Sequence, residues 1–227
     1  MSSGEVGNKS SPKAAYEQRR LSIIAKRWDA KAAAWDRELQ DPSCHLNEDD
    51  AYGRFLEQLA LVLQHEREFC ARHGVIDAGC GTGLVLEKII SCFAWGIGVD
   101  LSPQMIKAAA AKKIPNAKFV QGDSFDLSPI CPKAGAIVSR GVLLSHYGHK
   151  HGEALLRSAH SNLISRGFIF FDFLNKDGRA HYEHAARDKT YFEAKEICAI
   201  ASRAGFNHTT IAGEPDRRVR LLFARRD

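Results

Sequence analysis

The chain has no run approaching the ~18 apolar residues that a membrane-crossing helix needs, and its opening stretch, Met1 to Pro12, is polar without an apolar centre. Neither a membrane span nor a secretory signal is expected, and the reading is of a cytoplasmic protein. Paired cysteines are also missing. The six cysteines (Cys44, Cys70, Cys80, Cys92, Cys131, Cys198) are scattered and never form C-x-x-C, so neither a zinc site nor a redox motif is indicated. They read as thiols kept reduced. His149, His151, His181 and His184 cluster without a spacing that suits a metal, and no metal is expected. Strong charge of one sign is lacking too. The net charge is +5, spread along the chain apart from the short runs Arg19-Arg20, Arg217-Arg218 and Arg225-Arg226. That is weak support for a nucleic-acid partner and compatible with an anionic small molecule.

What is present is enough for one α/β domain: 227 residues, 44% of them hydrophobic, can build a two-sided core but not two full domains. Residues 1 to about 12 are rich in Ser, Gly, Asn and Lys and read as a disordered tail. Leu21, Ile24, Ala25, Trp28, Ala32, Trp35 and Leu39 recur at three- and four-residue steps and predict a helix that Asp41-Pro42 ends. A second helical segment runs from about Asp49 to His73, with Gly74 as its stop. Beyond it, strands and helices alternate. Strands are predicted at 75–78, 96–100, 117–121, 134–139 and 167–173, with a final pair at 209–212 and 219–224. Helices are predicted at 84–93, 104–113, 153–164 and 192–204, Ser102-Pro103 supplying an N-cap and N1 proline. This order implies a mainly parallel, doubly wound sheet, whose ligands bind beyond the carboxyl ends of its strands.

The most informative segment is Val75-Ile76-Asp77-Ala78-Gly79-Cys80-Gly81-Thr82-Gly83, a strand followed by three glycines within five residues. Such a loop turns sharply and lets a ligand approach the backbone. A dinucleotide fingerprint, G-x-G-x-x-G/A, would put its third small residue at Leu84, which is too bulky for close helix–strand packing. Asp77, near the strand tip, would repel a pyrophosphate but suits an ammonium group. Taken alone, Asp77 is also compatible with capping the turn, Asp100 with an N-cap that Ser102 fills better, and Asp123 with an Asx turn.

The segment resembles motif I of the class I S-adenosylmethionine-dependent methyltransferases. The resemblance covers about residues 75 to 224 and rests on acids at three successive strand ends: Asp77, Asp100 and Asp123. It implies a seven-stranded sheet whose last strand runs antiparallel between the fifth and sixth. It also implies that Asp100 accepts from the ribose hydroxyls and that Asp123 meets the adenine amino group. Leu101 and Met105 would pack around the adenosine. The cofactor set it implies is completed by Gly79, Cys80, Gly81, Gly83, Gly122, Ser124 and Ser139. In this scheme residues 13–74 are N-terminal helices covering the site, and 75–227 are the cofactor-binding core. Tyr52 and Arg54 are candidates for the methionine carboxylate, with helix packing and solvation as their respective alternatives.

Acceptor-side residues are expected after the fourth strand, in Ser139-Arg140-Gly141-Val142-Leu143-Leu144-Ser145-His146-Tyr147. The Asn/Asp-Pro-Pro-Tyr signature of enzymes that methylate adenine, cytosine or glutamine nitrogens is absent there. His146 is the candidate base, or else a histidine bonded at the start of the next helix. Asp172 is its candidate orienting group, or a partner for an amine acceptor. Arg140 faces either an anionic acceptor or a carboxylate of the protein, and Tyr147 shapes the acceptor pocket or joins the core. The polar segment from Asn175 to Thr190 is a second candidate lid. The reading is therefore methylation of an oxygen or nitrogen on a small-molecule metabolite, of the kind met in secondary metabolism, by a monomer or homodimer. The alternatives are a nucleic-acid methyltransferase and a non-catalytic S-adenosylmethionine-binding module.

Overall fold

A computed structural model describes residues 12–41, 43–44, 50–141, 143–146, 148–178 and 189–227, with 12–20 described by their backbone. The predicted tail, Tyr147, His181, His184 and most of the 175–190 segment lie outside these residues. The chain opens with helices α1 (Pro12–Asp29), α2 (Trp35–Gln40), α3 (Ala51–His65) and α4 (Arg67–Cys70). Strand and helix then alternate through β1 (Gly74–Ala78), α5 (Leu84–Ile89), β2 (Trp95–Asp100), α6 (Pro103–Ala111), β3 (Ala117–Gln121) and β4 (Ala134–Ser139). The rest is α7 (His149–Asn162), β5 (Leu163–Leu174), α8 (Ala194–Arg203), β6 (His208–Ala212) and β7 (Val219–Arg225).

The seven strands form one sheet in the order β3-β2-β1-β4-β5-β7-β6. Strands β1 to β5 pair in parallel. The last strand, β7, runs antiparallel between β5 and β6, as the resemblance implies. The order reverses between β1 and β4, so the loops after those strands diverge and open a crevice at the carboxyl edge.

Strand alternation divides the core into two layers. Ile169, Phe171 and Phe173 of β5 pack with Leu155, Leu156, Ile197 and Ile200 on the α7–α8 face. Phe168 and Phe170 pack with Phe55, Leu59, Leu63, Val85 and Leu86 on the α3–α5 face. Phe55 meets Phe170 edge-on at 5.1 Å between centroids.

Several element boundaries differ from expectation. The first predicted helix is two: Ala30 to Ala34 forms turns, closed by Lys31 N–H on Trp28 O and Ala34 N–H on Lys31 O. Alanines at 30 and 32–34 fit a helix as well as a turn, so periodicity cannot register the break. The second also divides, at Glu66, whose carboxylate accepts from Arg225 of the last strand. Gly74 is not a helix stop but the first residue of β1, where a Cβ would stand 2.1 Å from the Trp95 ring. Strand β5 starts four residues before the predicted 167, after which Arg166 in the left-handed region (φ 65°) accompanies a register shift against β4. Helix α7 starts one turn before the predicted Glu153.

Candidate active site

The loop after β1 owes its shape to its glycines. Gly79, Gly81 and Gly83 all have positive φ, at 72°, 52° and 78°. Gly83 is the N-cap of α5, and a Cβ there would stand 2.8 Å from the Phe119 ring. The loop is tied to β2 by main-chain bonds from Gly79 and Cys80 to Val99 O, and by the Asp100 carboxylate. Oδ2 of Asp100 accepts from Gly81 N–H at 2.9 Å, and Oδ1 accepts from Ser102 N–H at 2.8 Å. Ser102 in turn caps α6 by accepting from Met105 N–H at 3.1 Å. Asp123 forms the Asx turn, its Oδ1 accepting from Phe125 N–H at 2.9 Å. The turn holds Phe125 at the site, a residue that the sequence reading passed over.

These strand ends meet in a cavity. Asp123, Ser124 and Phe125, Asp100, Leu101 and Met105, and Gly79 and Gly81 share its lining with Arg140, Gly141, Leu143 and His146. Leu143 lies against the glycine loop, 3.4 Å from where a Cβ at Gly79 would stand. Ile24, Trp28 and Trp35 from α1 and α2 complete the wall. Trp28 stacks on His146 with 5.5 Å between centroids and 5° between planes, and meets Trp35 edge-on at 5.4 Å.

Of the residues expected to hold the cofactor, Gly79, Gly81, Asp100, Leu101, Met105, Asp123 and Ser124 line this cavity, and so do Arg140 and His146 from the acceptor side. Asp77 lies just beneath it, 1% exposed, with a buried Oδ2 that has no hydrogen-bond partner. Burial pushes its carboxyl up to about 7, the neighbouring charge of Asp100 adds to this, and a backbone hydrogen bond from Leu86 opposes it. An ammonium group is the ligand that such an orphaned acceptor beside a glycine loop would satisfy. Burial likewise raises the carboxyl of Asp100, against the backbone amides of Ser102, Gly81 and Leu101 that favour its charge. The residues present thus fit an adenosyl amino acid. Asp100 retains lone pairs that suit a diol, Asp123 and Phe125 would suit a base between or beside them, and the buried Oδ2 of Asp77 suits a cation.

Other expected residues serve the cavity from behind. Cys80 is buried, and its sulfur would stand 2.8 Å from a Cβ at Gly98. Gly122 packs against Ile130. The Ser139 hydroxyl is committed to Ala78 O at 2.7 Å, joining β4 to β1. Tyr52 is buried in α3 under Arg140, whose guanidinium lies 5.6 Å from its ring centroid. Burial raises the Tyr52 hydroxyl to about 12. Arg54, two residues on, faces away from Tyr52, because positions i and i+2 do not share a helix face. It lines a separate cavity with Gly213, Glu214 and Arg217, so it does not join Tyr52 at the cofactor loop. Asp172 is 2% exposed and on the same strand face as Phe170. Its Oδ2 accepts from Gly141 N–H at 3.0 Å, so it braces the loop that carries Arg140 and His146 without reaching the cavity wall. Burial lowers the Arg140 pKa, and the charges of Asp172, Tyr52 and Asp50 oppose this. Among the described residues no group of His, Cys, Asp and Glu is placed to hold a metal ion, and no helix is long and apolar enough to cross a membrane.

Residues 75–167 match the family model described as "Methyltransferase domain". A trans-aconitate 2-methyltransferase of Deinococcus radiodurans is 41% identical over 56 residues, 24% of this chain and 22% of that protein. A flavonoid 4'-O-methyltransferase of Ocimum basilicum is 27% identical over 175 residues, 69% of this chain and 49% of that one. The chain therefore spans half or less of these two relatives. The crystal structure of a magnesium protoporphyrin IX methyltransferase from Synechocystis, with S-adenosylhomocysteine bound, superposes with a TM-score of 0.72. It is 19% identical, and the match covers 91% of this chain and 99% of that one.

Proposed function

We propose that this chain, whose residues 75–167 match the methyltransferase domain model, is a class I S-adenosylmethionine-dependent methyltransferase and that it methylates an oxygen or nitrogen of a small-molecule metabolite. The observation that carries this reading is the shared cavity, whose lining joins the glycine loop, Asp100 and Asp123 to Arg140 and His146. Bound S-adenosylmethionine would supply an electrophilic methyl group on a sulfonium, which the acceptor takes in line while S-adenosylhomocysteine leaves as the neutral thioether. The protein contributes binding, orientation and proton handling.

Asp100 takes the ribose hydroxyls, Asp123 the adenine amino group and Asp77 the ammonium. Trp28 and Trp35 give the cavity an apolar, π-rich wall that favours a cation and keeps water out. His146, on the Leu143–His146 3-10 turn, is the lining group able to accept a proton from a hydroxyl acceptor, or from an ammonium so that the free amine becomes the nucleophile. Its stack on Trp28 holds the ring plane for that purpose. Arg140 provides positive charge for an anionic acceptor or for the cofactor's carboxylate.

A small acceptor is favoured by the cover that Ile24, Trp28 and Trp35 form, and oxygen by the O-methyltransferase among the relatives. Calorimetry with S-adenosylhomocysteine, followed by transfer of a labelled methyl group to a metabolite panel, tests the proposal. Micromolar binding with labelled small-molecule product is the expected result. Binding without transfer to any acceptor would favour a non-catalytic module, and transfer to RNA or DNA alone would favour the nucleic-acid reading.

A further inference from the structure

Besides its apolar packing, the α1–α2 segment is hydrogen-bonded to the core by two aspartates. Oδ1 of Asp29, at the end of α1, accepts from the Ser102 hydroxyl and from Gln104 N–H at 3.2 Å. Its charge thus sits at the amino end of α6, where the helix dipole favours an anion. Oδ1 of Asp36, in α2, accepts from the Thr82 hydroxyl in the glycine loop, and Oδ2 pairs with Lys112 Nζ at 2.8 Å. These anchors are not independent of the site. Ser102 is the residue whose amide Asp100 accepts, and Thr82 follows Gly81, whose amide Asp100 also accepts. Trp28 and Trp35, which wall the cavity, each immediately precede one of the two aspartates.

We infer that Asp29 and Asp36 are positioning residues: they latch α1–α2 over the cofactor through the two segments that Asp100 holds, so that cofactor occupancy and lid closure are coupled. The inference rests on the cofactor reading above. With the ribose hydroxyls on Asp100, the amides of Gly81 and Ser102 stay in place and both latch points are presented in register. Without them, Asp29 closes against the nearby like charge of Asp100, which opposes closure. A bound diol, by donating to Asp100, relieves that opposition. The latch therefore acts chiefly on the escape of bound cofactor, because it holds the two tryptophans across the exit.

The test is the dissociation rate of S-adenosylhomocysteine from the full-length protein, followed by tryptophan fluorescence in stopped flow. Asp29→Ala and Asp36→Ala should each speed dissociation by about tenfold, that is about 1.4 kcal/mol. The double variant should lose less than the product of the two, because both act through one hub. The melting temperature without ligand should stay near wild type in Asp29→Asn, which keeps an acceptor oxygen and should restore part of the lost residence time. Hydrogen exchange over residues 21–40 should slow on ligand binding in the wild type and not in the alanine variants. Wild-type dissociation rates in both alanine variants, or protection of 21–40 that is indifferent to ligand, would overturn the latch alone. Absence of ligand binding by the wild type would overturn the cofactor reading and the latch with it.

Discussion

The amide of Gly81 donates to Oδ2 of Asp100 at 2.9 Å, joining the loop after β1 to the end of β2 by a charge-assisted bond. The same carboxylate is the expected partner of the ribose. Asp100→Ala should therefore weaken S-adenosylhomocysteine binding by about 2 kcal/mol or more, the scale for a hydrogen bond to a charged group plus a loosened loop. Asp100→Asn should cost less, because one oxygen still accepts. Titration calorimetry on both variants checks the order.

Asp77 gives the protein a pH signature. Its folded pKa of about 7 lies above the ordinary 3.8, so the folded protein holds a proton that the unfolded chain has already released. The stability this group contributes is complete below pH about 4 and is lost as the pH rises to about 7, to an extent of up to about 4 kcal/mol. Asp77→Asn should remove that slope, seen as the difference between wild-type and variant denaturation curves across this range. An ammonium ligand favours the charged carboxylate, so cofactor affinity should rise with pH up to about 7. Binding below that pH should release a proton, measurable as buffer-dependent heat. An identical pH profile in Asp77→Asn would contradict the assignment.

His146→Ala should leave S-adenosylhomocysteine affinity within about threefold and slow turnover on a hydroxyl acceptor by about a hundredfold. The deficit should shrink at high pH, where the acceptor ionises without help. Steady-state kinetics as a function of pH, with kcat and KM resolved, distinguishes this from a packing role, which would leave a pH-independent loss.

Gly83→Ala should destabilise the fold. The new Cβ would stand 2.8 Å from the Phe119 ring at a φ of 78°, so crowding and backbone strain add. About 2 kcal/mol or more is expected, lowering Tm by roughly 4–8 °C for a chain of this size. Calorimetric melting reads it directly. Phe119→Leu in the same chain should return part of the loss.

The legible parts of this protein are those where ligand chemistry or strand period dictates residue type locally. Strands at 117–121 and 134–139 begin and end where their short apolar runs and flanking turns put them. The glycine loop, Asp100 and Asp123 are readable because a strand end near a diol, a base and a cation calls for carboxylates and bare backbone. Asp29 and Asp36 were not readable as site residues. Their partners Ser102 and Thr82 lie 73 and 46 positions away, and no period links them. Asp172 was read as an active-site acid because it nears a strand end. Only the registry of β5 reveals that it turns toward Arg140 and Gly141 behind the wall. Arg54 stood beside Tyr52 in sequence, and the helix carried it to another face.

The insertion of β7 between β5 and β6 has a consequence for synthesis. Among the described strands β6 pairs with β7 alone, so it has no place in the sheet when it is made. Until β7 follows, the growing chain presents β5 as a bare edge, with Phe168 to Leu174 open to any extended segment nearby. The cofactor crevice, by contrast, is framed by strands β1 to β4, all made earlier. Such a chain has the parts of its binding site to hand before it has closed its own sheet. Ligand present during translation would then meet a nascent protein whose remaining hazard is one unpaired, aromatic-rich edge.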